Sequence, residues 1–136
     1  MNFENSLREG KVKKVIPNRI RASSLIKSSI QAIQTAKTIT LNEASSKTIL
    51  REIYEGLREF CEAVGYSKGY KFLDHESIGY FLRDILGEQS VYRKFYRYRK
   101  LRNGINYYGE DIEIETVKEA IIEIPKIIKE LEKYRS

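Results

Sequence analysis

Apolar residues in this chain recur at helical spacing in five successive stretches and alternate at strand spacing in none. A stripe at i, i+3, i+4 and i+7 gives a helix one face to bury. Five such stripes with short connections predict an all-α, antiparallel up-and-down bundle of about five helices. The first helix spans roughly 18–37, with Ala22, Leu25, Ile26, Ser29, Ala32, Ile33 and Ala36 on its stripe. Pro17 suits its start, where a missing N–H costs nothing. Thr40-Leu41-Asn42-Glu43 reads as a capping box opening a second helix, which reaches about Val64 on Ile49, Leu50, Ile53, Leu57 and Phe60. Gly65 ends it, and 66–73 reads as a loop. Asp74 caps a third helix over 75–86. A fourth covers 89–107 and closes at Gly109, and a fifth covers 114–134 on Val117, Ile121, Ile124, Ile128 and Leu131, with Pro125 inside it. Residues 1–16 are polar, basic and aperiodic, an arm or short helix ahead of a single bundle domain over 17–136.

A chain of 136 residues can bury a core without staples. Its one cysteine, Cys61, excludes an intrachain disulfide, fits a reducing compartment and reads as a packing residue. The N-terminus is polar and no apolar run reaches about 18 residues, so neither a signal peptide nor a membrane contact is expected, and the location is read as cytoplasmic. Abundant Ile, Lys and Glu, with Met only at position 1, point to a heat-loving source.

Formal net charge is +6 and the isoelectric point is near 9.3, which permits an anionic partner. The charge is concentrated between Tyr92 and Gly109, where Arg93, Lys94, Arg97, Arg99, Lys100 and Arg102 alternate with five tyrosines and Phe95. Wound as a helix, this stretch puts Val91, Phe95, Tyr98, Leu101 and Ile105 on one face. Arg102 falls inside that apolar arc, whereas Arg93, Arg97 and Lys100 point away. A guanidinium aimed at a core is costly unless paired, so Arg102 stands apart from its neighbours as partly buried and paired. The stretch has two readings: packing tyrosines with solvated cations, or arginines on phosphate with Tyr92, Tyr96 and Tyr98 stacking on bases.

One histidine and one cysteine cannot build a usual zinc site, and no glycine-rich phosphate loop follows a strand, so neither metal nor cofactor is expected. His75, beside Asp74 at a helix start, is the one side chain that titrates near neutrality unaided. It is either a capping or packing residue or a proton-transfer group next to the basic helix. Glu52, Glu55, Glu59 and Glu62 form an acidic stripe on the second helix, either solvated or supplying a carboxylate to an arginine of another helix.

From about Val15 to Leu131 the layout resembles the HEPN domain, a prokaryotic and archaeal helical bundle. The resemblance rests on YEGLREFCEAVGYSKGYKF at 54–72, LDHESIGYFL at 73–82 with His75, and LRNGINYYG at 101–109. It implies a five-helix bundle that forms a two-fold homodimer, with the arginine motifs near a shared cleft. Many relatives are metal-independent ribonucleases, often toxins paired with a small nucleotidyltransferase antitoxin, and others bind RNA or nucleotides without cutting. The nuclease relatives carry an arginine, four to six residues, then a histidine. Arg102-Asn103 matches the first half, while Tyr107, Tyr108 and Gly109 stand where the histidine would. A phenol with a pKa near 10 is a poor base at neutral pH. The resemblance thus implies a nucleotide or RNA binder in a two-protein, toxin–antitoxin-like system. Arg102 would hold the anion, Asn103, Asn106 and Tyr107 would line the cleft, and Arg99 would stand at its rim. The alternatives are a ribonuclease with a degenerate motif, catalysed by Arg102, Tyr107 and His75, and a non-catalytic docking scaffold.

Overall fold

A computed structural model describes residues 1–135. The described chain is mostly helical: α1 (Phe3–Arg8), α2 (Arg19–Thr38), α3 (Ser46–Ser67), α4 (His75–Tyr80), α5 (Gln89–Tyr108) and α6 (Ile114–Leu131). A π-helical stretch, Phe81–Ile85, continues α4, and a 3-10 turn, Glu132–Tyr134, ends α6. None of these helices is long and apolar enough to cross a membrane.

The central element is α3. It buries Ile49, Leu50, Ile53, Leu57, Phe60 and Val64, as expected, and also Tyr54, Gly56, Glu59 and Cys61, so neighbours cover it on several sides. α2 runs antiparallel to it, since Ser29 donates to the Gly56 carbonyl at 2.6 Å while Ala22 and Ile26 meet Ala63 and Val64. The helices approach closely because Gly56 has no side chain; a Cβ there would lie 2.7 Å from the Ile33 Cδ1. On its other sides α3 meets α4, α5 and α6. α5 is antiparallel to both α4 and α6: Arg102 reaches His75 and Tyr92 packs near Tyr80, while Arg97 pairs with Glu119 and Lys94 with Glu123.

Two local expectations are corrected, and the two readings of the acidic stripe are narrowed. Thr40 and Glu43 do not cap α3. Asn42 forms a tight turn instead, its side chain accepting from the Ser45 N–H at 3.0 Å and its carbonyl from the Ser46 N–H at 3.0 Å, so the helix begins at Ser46. The loop expected at 66–73 contains a strand, β2 (Tyr70–Phe72), which pairs antiparallel with β1 (Val12–Lys14) in the register Val12↔Phe72 and Lys14↔Tyr70. Strands of three residues are too short to show an alternating pattern. The acidic stripe reaches no other helix through Glu55 or Glu62, because both pair with Arg58 on α3 itself. The Asp74 cap holds, accepting from the Ser77 N–H at 2.9 Å, and Gly109 closes α5 at φ 63°.

The residues ahead of Pro17 join the same core. Phe3 and Val12 are buried, Phe3 packing against Tyr70 and Phe81. The ribbon extends beyond its strands, with the Leu73 N–H donating to the Lys11 carbonyl and the Val15 N–H to the Gly69 carbonyl. Gly69 is required there: its φ is 88°, and a Cβ would lie 2.7 Å from the Val15 oxygen. α1 also bonds to α4 and its continuation, through Ser6 to Ser77 and the Phe3 N–H to Asp84. The first turn of α4 is thereby fixed from two directions.

Candidate functional site

Three elements converge where α4 begins. α3 presents Arg51, Tyr54 and Arg58 at i, i+3 and i+7, which is one face of a helix. α4 supplies His75 and Glu76 from its first turn, and α5 supplies Arg99, Arg102, Asn103, Asn106 and Tyr107 from its last three. The structure therefore brings together His75, Arg99, Arg102, Asn103, Asn106 and Tyr107, whereas the stacking candidates Tyr92, Tyr96 and Tyr98 line neither of the hollows formed there.

Arg102 is the junction. Its guanidinium lies over the Tyr54 ring, 4.9 Å from the centroid, and donates to His75 Nδ1. Its other terminal nitrogen is 3.4 Å from the Tyr107 hydroxyl. Arg102 and His75 form a wall between two hollows. One, of about 430 Å³, is lined by Leu73, Asp74, Glu76, Arg99, Asn103 and Tyr107. The other, of about 210 Å³, is lined by Arg51, Glu52, Tyr54, Glu55 and Asn106. Asn103 and Asn106, expected to share a cleft, thus lie on opposite sides of Arg102. Asn106 accepts from the Arg51 Nε at 2.7 Å.

Arg99 is corrected from rim to interior. It is 9% exposed, deeper than half-buried Arg102. Its guanidinium sits 5.3 Å from the Tyr96 ring centroid and 4.0 Å from the Glu76 carboxylate, which also accepts from the Tyr80 hydroxyl at 2.8 Å. Helical winding places Arg99 toward α4, and only the packing of α4 on α5 buries it. Among the described residues no carboxylate lies within 4.0 Å of Arg51 or Arg102. Arg58 is the contrast, held by Glu55 and Glu62 together. The site therefore holds two guanidiniums whose charge is met by rings, an amide and an imidazole instead of by anions. Such an arrangement is electrostatically ready for an incoming anion.

Burial, and then the Arg102 charge, lower the His75 pKa from 6.5 to about 4. Its ring is neutral at neutral pH. Because Nδ1 accepts from Arg102, the tautomer assigned from this network carries its proton on Nε2. The Tyr54 hydroxyl is 2.9 Å from the same Nδ1, and burial raises the Tyr54 pKa to about 12, so that phenol stays protonated. Cys61 plays no part: it is fully buried, and burial raises its thiol to about 12.

The depressed imidazole has a consequence for stability. Between about pH 6.5 and about pH 4 the unfolded chain binds a proton that folded His75 refuses. Its contribution to stability is complete above about pH 6.5 and is lost as pH falls toward 4. The slope is below about 1.4 kcal/mol per pH unit, because solvent screens a half-exposed group. Denaturant titrations at about pH 7.5 and about pH 5 should show wild type losing more stability than His75→Gln. The difference cancels carboxylates such as Asp84 and Glu119, whose pKa values are lowered by Arg83 and Arg97. Parallel pH profiles for the two proteins would contradict the assignment.

A larger hollow of about 740 Å³ opens where α3 and α6 begin, beside Glu43, Lys47, Asp111 and Glu113. Its lysine already pairs with Asp111 at 3.2 Å and its Ser46 hydroxyl donates to the Asn42 carbonyl at 2.6 Å, which leaves the lining acidic. Among the described residues no group of three His, Cys, Asp or Glu side chains is placed to hold a metal ion. Arg51 and Tyr54 are the site residues that sequence reasoning missed. Tyr54 was legible only as an aromatic within the second helix, and Arg51 as one more exposed cation. No protein-family model, curated protein or solved structure matches the chain.

Proposed function

We propose that this protein binds RNA or a nucleotide through the Arg102 junction. It would act as a HEPN-type homodimer and as one component of a toxin–antitoxin-like pair with a nucleotidyltransferase. The observation that carries the binding is the pair Arg51 and Arg102, two guanidiniums with no carboxylate within 4.0 Å among the described residues, at adjoining polar hollows. Phosphate oxygens satisfy such forks in a bidentate way that rings and amides do not. Tyr107, 67% exposed beside Arg102, offers a face on which a base can stack.

A second reading, metal-independent cleavage, is favoured by one contact: His75 stands against Arg102 although the motif positions hold tyrosines and a glycine. In that chemistry the RNA 2′-oxygen bonds to phosphorus as the bond to the 5′-oxygen breaks. The 2′-hydroxyl proton passes to the imidazole, water protonates the leaving oxygen, and the products are a cyclic phosphate and a 5′-hydroxyl. With its lone pair engaged by Arg102 and its pKa near 4, His75 is a weak base in the free protein. A phosphate that draws Arg102 away leaves Nδ1 to the Tyr54 hydroxyl alone and offsets the cation that, after burial, depresses the imidazole. Anion binding and base strength then rise together.

Purified protein incubated with total RNA in EDTA, beside Arg102→Ala, separates the readings. Retention of RNA that weakens steeply with salt and needs Arg102 is the expected result. Arg102-dependent cleavage to cyclic phosphate ends would make it an enzyme. Salt-insensitive or absent binding would leave a protein-docking scaffold.

A further inference from the structure

α5 carries two sets of cations, and the fold treats them differently. On the side facing α6, Arg97 pairs with Glu119 at 2.8 Å and Lys94 with Glu123 at 3.7 Å. Arg97 also lies 5.4 Å from the Tyr98 centroid, but on the side facing α4 the ring contacts form a longer run, which begins at Arg83 of the π-helical stretch. The Arg83 guanidinium is 5.1 Å from the Tyr80 centroid and 4.9 Å from that of Tyr92. Tyr92 is 6.4 Å from Tyr96, and the Tyr96 ring takes Lys100 at 5.4 Å and Arg99 at 5.3 Å. Arg99 then lines the hollow beside Arg102 and Tyr107. Two carboxylates stand along this ladder, Asp84 on Arg83 and Glu76 near Arg99. Among the described residues none lies within 4.0 Å of Arg93 or Lys100.

The ladder is continuous along one side of the helix. Tyr92, Tyr96, Lys100, Asn103 and Tyr107 fall within an arc of about 100° and span about 22 Å of axis. Tyr98, one of the tyrosines read from the sequence as a stacking candidate, is not among them. It is buried and donates to Glu123 at 2.5 Å, a packing role. Tyr96, 44% exposed between two cations, is the ring still available.

We infer that this stripe is a track for single-stranded nucleic acid leading away from the Arg102 hollows. Bases stack on Tyr96 and Tyr107, and Lys100 and Arg93 take backbone phosphates. The inference rests on the reading that the hollows bind phosphate, and it extends the contact from one nucleotide to a strand. Alternating exposed aromatics and unpaired cations suit a single strand, which offers flat bases and a regular anionic backbone together. A duplex hides its bases, and an acidic protein surface has no use for the rings.

Fluorescence anisotropy with labelled oligouridylates of about two, four and eight nucleotides tests this. Wild-type affinity should rise with length. Tyr96→Ala should remove the rise, roughly fivefold or more on the longest probe, and leave the shortest unchanged. Tyr96→Phe should keep it, and Arg102→Ala should weaken every length. Tyr96 is half-exposed, so matched melting curves will show that the variants fold. Affinity flat with length, with Arg102 still needed for the shortest probe, overturns the track and spares the hollows. A rise that survives Tyr96→Ala while light scattering shows a dimer falling apart makes this face an interface between copies and also overturns the track. Failure of every probe to bind overturns both readings.

Discussion

Arg102→Ala is expected to weaken RNA or nucleotide binding by roughly 10- to 100-fold. A hydrogen bond to a charged group contributes about 1.5–3 kcal/mol, and Arg102 is the side chain that borders both hollows. Lysine at the same position should restore only part of the affinity, since a point charge cannot address two hollows with one planar fork. The stability cost should be small, because the residue is half-buried and holds no carboxylate that would be left unpaired. Removing the guanidinium also removes one of the two main causes of the low His75 pKa, so the imidazole should titrate higher in the variant. NMR of the single histidine, together with an RNA titration at two salt concentrations, measures all of this. Unchanged affinity, or an imidazole that does not move, would show that Arg102 is not the anion-binding junction.

Phe60→Ala should have the largest effect on stability, about 3–5 kcal/mol. Phe60 is 1% exposed in the central helix, and truncation leaves a cavity that close packing cannot refill. A domain of this size has about 5–15 kcal/mol in total, so much of its margin goes. Because α3 also carries Arg51 and Tyr54, loosening it should disturb ligand binding as well. Urea titration gives the size of the loss. The matched control is Ile122→Ala, at a position 61% exposed, which should stay within about 0.5 kcal/mol. Equal effects from both would mean that α3 is not the centre of the core.

Much of this was legible in the residue pattern, for a physical reason. Long helices carry their stripe redundantly, so α2, α5 and the start of α6 appear where periodicity puts them, with Gly109 closing α5, and Asp74 marks the start of α4. Short elements have no redundancy. β1 and β2 exist because each pairs with a segment some sixty positions away, which no local window detects. Arg102 could be picked out because helical winding aims it toward the apolar face. The depth of Arg99 could not, since it depends on how α4 leans on α5. His75 stood out as the only histidine, but its contact with Arg102 is a product of tertiary packing. Tyr54 and Arg51 gave no signal at all, because a cation and an aromatic three apart on a helix are common.

The β1–β2 ribbon also orders events in time. Val12 and Phe72 are joined across a segment that contains all of α2 and α3. Those two helices meet through contacts close in sequence and can dock early, whereas the ribbon must close a loop of about sixty residues at an entropic cost that grows with its length. Once the α2–α3 hairpin has formed, it shortens the gap the strands must span. The first turn of α4 is held by that ribbon and by α1, so it is expected to settle with the closure, before Arg102 meets His75. The candidate site, built from α3, α4 and α5, is therefore expected to complete after the α2–α3 hairpin, and hydrogen exchange that is no faster in the first turn of α4 than in α2 would contradict that order.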